Sequence, residues 1–323
     1  MTEHNQEQIK NLLNFLKEDD DKTNSFASVK RDAEMMEITP GIYCANHYGF
    51  AACYAVCGEK GLFFIDTTER MDIAAKVKED YFKIPYIKER SPPIVGMAYT
   101  HFHADHQFGA RELYSEFINE EDKSDDWSGP PIFASEVFMD SEFQLNGHTR
   151  PFYMLRGARM YGMMLTHIEN MVNKTNHDSD VTAAKWKSKQ EFGTLYPTNL
   201  VPNDGAMHHL MDLGDMNIYA FCTPGETPCH MSLWIPEKEA LFVGDNVYFM
   251  CPNLTTLRGA PPRDPLKWIS SLDRYIKMRP KHLLYGHGNQ ESGYDNCQKA
   301  LKAYRYGIKY IHDQTEKIFL KNS

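Results

Sequence analysis

The sequence predicts an α/β fold in which two β-sheets pack face to face and helices cover their outer surfaces. Short apolar segments of strand length alternate with segments of helical composition along most of the chain. The absence of a nucleotide-binding glycine loop from the sequence also fits this arrangement. Residues that can bind a metal stand at the ends of several apolar segments, where loops leaving the strands can turn side chains toward one point.

For the first half of the chain, the sequence predicts a polar arm followed by strands and helices. Residues 1–36 are polar and carry the acidic stretch Glu18–Asp21, so we expect an appended arm without a chemical role. From Ile38 onward, short apolar segments separated by glycine-containing turns predict strands. The predicted strands are 41–45, 51–56, 61–66, 93–99 and 131–134, and the predicted helices are 71–81 and 109–117.

Residues 37–323 are predicted to form one large domain, because the candidate metal ligands run from residue 101 to residue 287. Helical composition followed by weak periodicity predicts a helical insert at about 135–206. Beyond it, the predicted strands are 207–213, 217–222, 231–235, 240–243 and 282–285, and the predicted helices are 265–278 and one that carries Leu301, Tyr304, Ile308 and Ile311.

Composition and charge exclude several classes of function. The chain has 323 residues, of which 42% are hydrophobic and 24% charged, as expected of a globular protein with a full core. Its net charge is −9 and its lysines and arginines do not cluster, so we expect no nucleic-acid partner. Seven scattered cysteines do not form a disulfide framework and suit a reducing cytosol. Because the sequence has no signal peptide and no apolar run of roughly 18 residues, we expect a cytoplasmic protein without a membrane span.

The stretch Thr100–His106 places three histidines and one aspartate within six residues, directly after a predicted buried strand. Imidazole nitrogens and carboxylate oxygens are ligands that zinc prefers. His101 and His103 would face one metal, and Asp105 and His106 a second one. The pattern is much more specific than a single histidine, provided that further ligands follow downstream.

Further ligand-type residues stand in three later segments, each a short apolar strand or the turn after one. They are His230 in the stretch 223–230, Asp245 in the stretch 241–246 and His287 in the stretch 283–288. This ordered set resembles the metallo-β-lactamase superfamily from roughly Ile38 to the C-terminus. The resemblance implies an αββα sandwich of two mixed β-sheets with outer helices.

The same resemblance implies a ligand set for two Zn²⁺ ions per chain. His101, His103 and His230 would hold the first zinc, Asp105, His106 and His287 the second, and Asp245 would bridge both. Zinc lowers the pKa of bound water to about 7, so a bridging hydroxide would be available for hydrolysis at neutral pH. Asp105 and Asp245 are the candidate catalytic residues, because they reduce the charge of the cluster and Asp105 can orient the nucleophile. Relatives that transfer electrons with iron replace the last histidine of the first motif, which is present here as His106.

A closer resemblance lies downstream of Asp245. The run Asp245–Ala260 is similar to a segment of the alkylsulfatase branch, the dodecyl-sulfate hydrolases, as are the stretches 156–162, 263–265 and 312–315. This resemblance implies that Arg258 and Asn253 bind the sulfate oxygens, with Tyr161 nearby. A guanidinium group offers a planar pair of donors that fits an oxyanion.

The sequence also departs from that branch. Phe249 and Pro252 stand where alkylsulfatases usually carry histidines, one of them a candidate general acid, so the proton donor to the leaving group is unassigned. His230 and Asp245 stand where that branch usually carries glutamates. The dimerising helices and the lipid-carrier-like domain of the long alkylsulfatases are missing, so we expect a catalytic module and leave a homodimer open.

The function predicted from the sequence is that of a dinuclear zinc hydrolase that cleaves a small organic sulfate ester. One alternative is a zinc hydrolase of a carboxyl derivative such as a lactone, a β-lactam or a thioester. The other is a protein that binds metal and an anionic ligand without turnover. Sulfate release as opposed to ring opening distinguishes the first function from the second. Asp105→Ala distinguishes catalysis from binding, because it should abolish turnover and leave the fold largely intact.

Overall fold

The computed structural model describes residues 32–118, 127–147, 149–160, 193–248, 250–260 and 262–321. The strands in these residues are β1 (Glu34–Thr39), β2 (Ile42–Asn46), β3 (Cys53–Cys57), β4 (Leu62–Ile65), β5 (Ile94–Ala98), β6 (Ile132–Ser135), β7 (Asn199–Val201), β8 (His208–Asp212), β9 (Asn217–Cys222), β10 (Met231–Ile235), β11 (Ala240–Gly244), β12 (His282–Tyr285) and β13 (Glu291–Ser292). The helices are α1 (Met71–Tyr81), α2 (Pro85–Arg90), α3 (Ala104–Gln107), α4 (Ala110–Leu113), α5 (Phe138–Asn146), α6 (Arg150–Met160), α7 (Pro265–Met278) and α8 (Tyr294–Lys321).

The strands form two mixed sheets. The first sheet has the order β1-β2-β3-β4-β5-β6-β7, with antiparallel pairing from β1 to β4 and parallel pairing from β4 to β7. The second has the order β13-β12-β11-β10-β9-β8 and is antiparallel except for the parallel pair β11 and β12. Strands β2, β3, β4 and β11 are buried along their whole length, as expected where both faces of a sheet are covered.

The side chains of β4 show how the layers are built, because they alternate between two hydrophobic cores. Phe63 and Ile65 join a core made by both sheets, which includes Phe242 of β11. Leu62 and Phe64 join a second core, to which α1 and α2 contribute their buried side chains. The first sheet therefore lies between a layer of helices and the second sheet.

The second sheet repeats this alternation on its other side. Leu241 and Val243 of β11 pack against Trp268 of α7 and Leu301 of α8, while Phe242 between them faces the first sheet. Helix α7 starts at an Asp264 N-cap, whose side chain accepts hydrogen bonds from two backbone N–H groups of the first turn. The order of layers is helix, sheet, sheet, helix, which confirms the predicted αββα sandwich.

Some elements differ from those that the sequence predicts. Strands β1, β7 and β13 lie at sheet edges, where few side chains are buried and the apolar pattern is therefore weak. The helix predicted at 109–117 is the short helix α4 followed by a 3₁₀ turn at Ser115–Phe117.

The predicted domain boundaries stay predictions. Strand β1 begins inside the range 1–36 assigned to the arm, and residues 1–31 lie outside the described residues. The described parts of the predicted insert at 135–206 contain α5, α6 and β7. Residues 161–192 also lie outside the described residues. Every helix in the described segments is too short or too polar to traverse a lipid bilayer.

The core between the sheets offers a test of the layer order. Phe242 is 1% exposed and packs edge-on against Tyr54 of the first sheet, with ring centroids 5.1 Å apart. We expect Phe242→Ala to lower the free energy of unfolding by about 3–5 kcal/mol, because it leaves a cavity between the sheets. Phe319→Ala is the control, since Phe319 is 73% exposed near the end of α8. Chemical denaturation measures both variants, and equal losses of stability would contradict the assignment of the core.

Candidate metal centre

Four loops bring the candidate ligands to one end of the two sheets. The stretch Thr100–His106 follows β5, and the loop Thr223–His230 joins β9 to β10. Asp245 comes directly after β11, and His287 comes two residues after β12. Because β11 and β12 run parallel, their ends lie side by side. The sheet pairing itself therefore brings Asp245 and His287 together.

The first group of donors consists of His101, His103, Glu226 and Asp245, each with one ligand atom within 4.8 Å of the others. The His101 Nε2 and His103 Nδ1 atoms are 2.8 Å apart. The Glu226 Oε2 atom lies 3.4 Å from His103 Nδ1 and 3.7 Å from His101 Nε2. Two imidazole nitrogens and two carboxylates thus converge on one point, as they do around a bound zinc ion.

The second group consists of Asp105, His106 and His287, again with ligand atoms within 4.8 Å of one another. The Asp105 Oδ2 atom lies 3.6 Å from His106 Nε2 and 3.3 Å from His287 Nε2. The side chain of Asp105 is 25% exposed, whereas those of both histidines are buried. Asp105 is therefore the most solvent-exposed member of this group.

Asp245 connects the two groups. Its Oδ1 atom lies 3.4 Å from His106 Nε2 in the second group. Its Oδ2 atom lies 3.1 Å from His287 Nε2 and 3.7 Å from His101 Nε2 in the first group. One buried carboxylate therefore faces donors of both groups, which is the arrangement required of a bridging ligand.

The chemistry of these donors fits bound cations. In the two donor groups, three buried atoms have no hydrogen-bond partner among the described residues, namely His106 Nε2, Glu226 Oε2 and Asp245 Oδ1. Burying such atoms without a partner costs free energy that a coordinated metal would recover. Burial also lowers the pKa of His101 well below its ordinary value, so this imidazole stays neutral and free to coordinate.

Bonds from the first sheet orient the histidines. Asp66 follows β4 and accepts hydrogen bonds from the backbone N–H of Thr100 at 2.7 Å and from its hydroxyl at 2.8 Å. It also lies 2.7 Å from His106 Nδ1. The Nδ1 atom of His287 is 2.7 Å from the carbonyl oxygen of Phe50. In both histidines an Nδ1–H donor on these acceptors leaves Nε2 with a lone pair for a metal.

The position of Glu226 is fixed by residues far away in the sequence. Its backbone N–H donates to Asn246 Oδ1 at 2.9 Å, and the Asn246 amide donates to the Thr223 carbonyl at 2.7 Å. The Glu226 carboxylate forms a buried ion pair with Arg263. Burial raises the pKa of Glu226 to about 7, and the positive charge of Arg263 opposes this shift.

His230 lies beside the first group but is not one of its members in the structure. Its ring stacks on that of His101 with centroids 5.4 Å apart, and its Nδ1 atom is 3.2 Å from the Thr223 hydroxyl. The structure thus brings together every predicted metal ligand except His230 into the two groups and adds Glu226. Sequence reasoning missed Glu226, although it lies four residues before His230 in the same loop. The role of His230 stays a prediction.

The residues predicted to bind the substrate are only partly described. The positive charge of Arg258 lowers the pKa of His103, in addition to the larger effect of burial. Its Nε atom donates to the Tyr153 hydroxyl at 2.7 Å. The Asn253 carbonyl accepts from Arg263 Nη1 at 2.7 Å, so its backbone supports the ion pair of Glu226. Tyr161, like Phe249, lies outside the described residues.

Comparison with known proteins identifies the family of this chain. A family model described as the metallo-beta-lactamase superfamily matches residues 48–287, a span that contains both donor groups. The chain is 28% identical over 258 residues to a linear primary-alkylsulfatase of Pseudomonas sp., covering 79% of this chain and 45% of that protein. It is 25% identical over 252 residues to an (R)-specific secondary-alkylsulfatase of Pseudomonas sp., covering 78% and 35%. The chain spans less than half the length of these curated relatives.

A solved structure has a similar fold. The stereoselective inverting sec-alkylsulfatase of Pseudomonas sp. superimposes with a TM-score of 0.72 at 22% sequence identity. The superposition covers 90% of this chain and 44% of that chain. At this level of identity the likeness establishes the shared architecture.

Asp66 provides a first test of the site, because it positions His106 without belonging to either donor group. We expect Asp66→Asn to weaken metal affinity by about tenfold to a hundredfold, since the amide no longer holds His106 in the coordinating tautomer. Asp295→Asn, on the exposed first turn of α8, is the matched control. Competition with a chromophoric chelator measures the affinity. An Asp66→Asn protein that binds metal like the parent would show that His106 does not depend on this contact.

Glu226 and His230 can be distinguished by comparing Glu226→Gln with His230→Asn. We expect Glu226→Gln to lose metal from the first group, because the amide removes the negative charge that faces His101 and His103. We expect His230→Asn to keep its full metal content. Elemental analysis after dialysis gives the stoichiometry, and the visible spectrum of the cobalt-loaded protein reports the ligands. The opposite pattern would assign the third ligand to His230, as the sequence predicts.

Proposed function

This chain belongs to the metallo-β-lactamase superfamily, and we propose that it is a dinuclear zinc hydrolase that cleaves a small organic sulfate ester. The observation that carries the proposal is the pair of donor groups joined by Asp245. The curated relatives that it matches are alkylsulfatases, which supports a sulfate ester over other hydrolysable bonds. Because identity to them is modest, the substrate is the part of the proposal that needs a direct test.

The two donor groups would hold one zinc ion each. His101, His103 and Glu226 would hold the first, and Asp105, His106 and His287 the second, with Asp245 between them. Bound zinc would activate a water molecule as the nucleophile at neutral pH and would stabilise negative charge that develops on the ester. Imidazole and carboxylate ligands in a largely buried site favour zinc among the common divalent metals.

The chain's own residues would divide the remaining tasks. Asp105 is the most exposed donor of its group, so its carboxylate can accept a hydrogen bond from the attacking water and orient it. Arg258, whose charge lowers the pKa of His103 in the first group, would supply the positive charge that an anionic ester requires. Arg263 is bound to the Glu226 carboxylate, and it therefore keeps that ligand in place rather than binding the substrate.

The proposed location of the protein is the cytoplasm. All seven cysteines are free thiols, and six of them are buried. Free buried thiols suit a reducing compartment, where disulfides are rare.

The proposal predicts sulfate release from hexyl sulfate and dodecyl sulfate by the zinc-loaded protein, and loss of that release in a chelator. We expect Asp105→Ala to lower kcat by at least about a hundredfold while the fold is kept, because the nucleophile loses its orienting group. Asp140→Asn, on the exposed face of α5, is the control. Sulfate is measured by ion chromatography, and circular dichroism checks the fold.

Two outcomes would overturn the proposal. If protein shown to hold two metals releases no sulfate but opens a lactone or a β-lactam, the chain is a hydrolase of carboxyl derivatives. If Asp105→Ala turns over at the rate of the parent, the assigned orientation of the nucleophile is wrong.

A further inference from the structure

A buried hydrogen-bond network connects helix α7 with His230. Its members are Asn246, Tyr275, Ser232, Thr223 and His230, each of which is buried. The successive distances are 3.0 Å from Asn246 Nδ2 to the Tyr275 hydroxyl, 2.6 Å from there to Ser232 Oγ, 2.9 Å to Thr223 Oγ1 and 3.2 Å to His230 Nδ1. Each hydroxyl group has a single proton to donate, so the direction of the first bond determines the direction of the others.

The first bond of the network has a fixed direction. The Asn246 side chain accepts a hydrogen bond from the backbone N–H of Glu226 at 2.9 Å, which identifies the accepting atom as Oδ1 and the other as Nδ2. The Nδ2 group then donates to the Thr223 carbonyl at 2.7 Å and to the Tyr275 hydroxyl. The Tyr275 oxygen is therefore an acceptor, and its own proton has Ser232 Oγ as acceptor.

The remaining protons follow from this first step. Ser232, which accepts from Tyr275, gives its own proton to Thr223, and Thr223 gives its proton to His230 Nδ1. Because Nδ1 accepts, a neutral His230 ring carries its proton on Nε2. This direction leaves one buried atom of the network, His230 Nε2, without a partner among the described residues. The opposite direction would also leave the buried Tyr275 proton without an acceptor within hydrogen-bond distance in the described part of the chain.

The proton position distinguishes His230 from two of the histidines in the donor groups. The Nδ1 atoms of His106 and His287 face a carboxylate oxygen of Asp66 and the carbonyl oxygen of Phe50, which can only accept. Those rings therefore carry their proton on Nδ1 and offer Nε2 to a metal. His230 Nδ1 faces a hydroxyl group instead, and His230 belongs to neither donor group in the structure.

Packing fixes the amide of Asn246, where the network begins. A Cβ atom on Gly225 would lie 2.4 Å from Asn246 Oδ1, so the amide fits closely against the loop that carries Glu226. The Asn246 carbonyl accepts a hydrogen bond from Trp268 Nε1 at 2.9 Å. Trp268 and Tyr275 are both buried residues of α7, so one helix holds the backbone and the side chain of Asn246.

We propose that this network selects the metal ligand in the loop Thr223–His230, because it places Glu226 as a ligand and excludes His230. The inference rests on the proposed metal centre and deepens it. Asn246 performs both tasks, since its oxygen holds the Glu226 backbone and its nitrogen begins the network that keeps a proton on His230 Nε2. A ring nitrogen that carries a proton has no lone pair for a metal, so His230 is a hydrogen-bond donor beside the first group.

The test determines which ring nitrogen of His230 carries the proton in the zinc-loaded protein. In protein labelled with ¹⁵N at histidine, a long-range proton–nitrogen correlation spectrum distinguishes protonated, unprotonated and metal-bound ring nitrogens. The His230 signals are those that disappear in His230→Asn. We expect a proton on Nε2 of His230 and none on Nδ1. A histidine that binds metal through Nε2 has the opposite pattern, with a proton on Nδ1.

Two variants test whether the network sets this proton position. Thr223→Val keeps the shape of the side chain and removes the donor to His230 Nδ1, so we expect the nitrogen shifts of His230 to move to values between those of the two tautomers. Tyr275→Phe should move them in the same direction by a smaller amount, because Ser232 loses its donor. Tyr114→Phe is the matched control: it removes a hydroxyl that donates to the Pro131 carbonyl at 3.2 Å, outside the network, and should leave the His230 signals unchanged.

The outcomes separate this inference from the proposed reaction. A metal on His230 Nε2 in the parent protein, or protons on both of its ring nitrogens, would overturn the inference. A folded Thr223→Val protein that keeps the parent shifts of His230 would also overturn it. A parent with the proton on His230 Nε2 that hydrolyses no sulfate ester would support the ligand selection and remove the proposed reaction. If elemental analysis finds no zinc uptake, the proposed metal centre and the ligand selection fail together.

Discussion

The carboxylate of Asp245 is the contact on which the rest of the site depends, because it faces both donor groups at once. Its position follows from the parallel pair β11 and β12, whose ladder continues past the strand ends as Gly286 N–H donates to the Gly244 carbonyl. A Cβ atom on Gly286 would lie 2.1 Å from Asp245 Oδ1, so a larger residue would displace the carboxylate. The pairing of β11 with β12 and the lack of a side chain at Gly286 together hold the Asp245 carboxylate between the two donor groups.

The two groups nevertheless depend on both sheets. Asp66, at the end of β4 in the first sheet, holds Thr100 and His106. The same sheet supplies the loop before β3, where Ala52 N–H donates to the Gly286 carbonyl and Phe50 accepts from His287. Because these bonds cross from one sheet to the other, the core between the sheets supports the geometry of the site as well as the stability of the fold.

The parts of the fold and site that sequence could predict are those set by local pattern. Buried strands such as β4 and β11 carry a strong apolar signal, and the closely spaced His101 and His103 point to a metal without further information. The sequence alone could not show that Glu226, rather than His230, joins the first donor group. The backbone of Glu226 is held by Asn246, twenty residues further along, and local sequence pattern does not reveal such a contact.

Two arginines bring positive charge to a site that is rich in carboxylates. The chain carries a net charge of −9, and three of its carboxylates, those of Asp105, Glu226 and Asp245, lie in the site. Arg263 offsets part of this negative charge through its buried ion pair with Glu226, and the same ion pair holds the Glu226 carboxylate in the first donor group. Arg258 donates a hydrogen bond from Nε to the hydroxyl of Tyr153. The positive charges of both arginines lower the pKa of His103, in addition to the larger effect of burial, so both act against the negative charge of the carboxylates in the site.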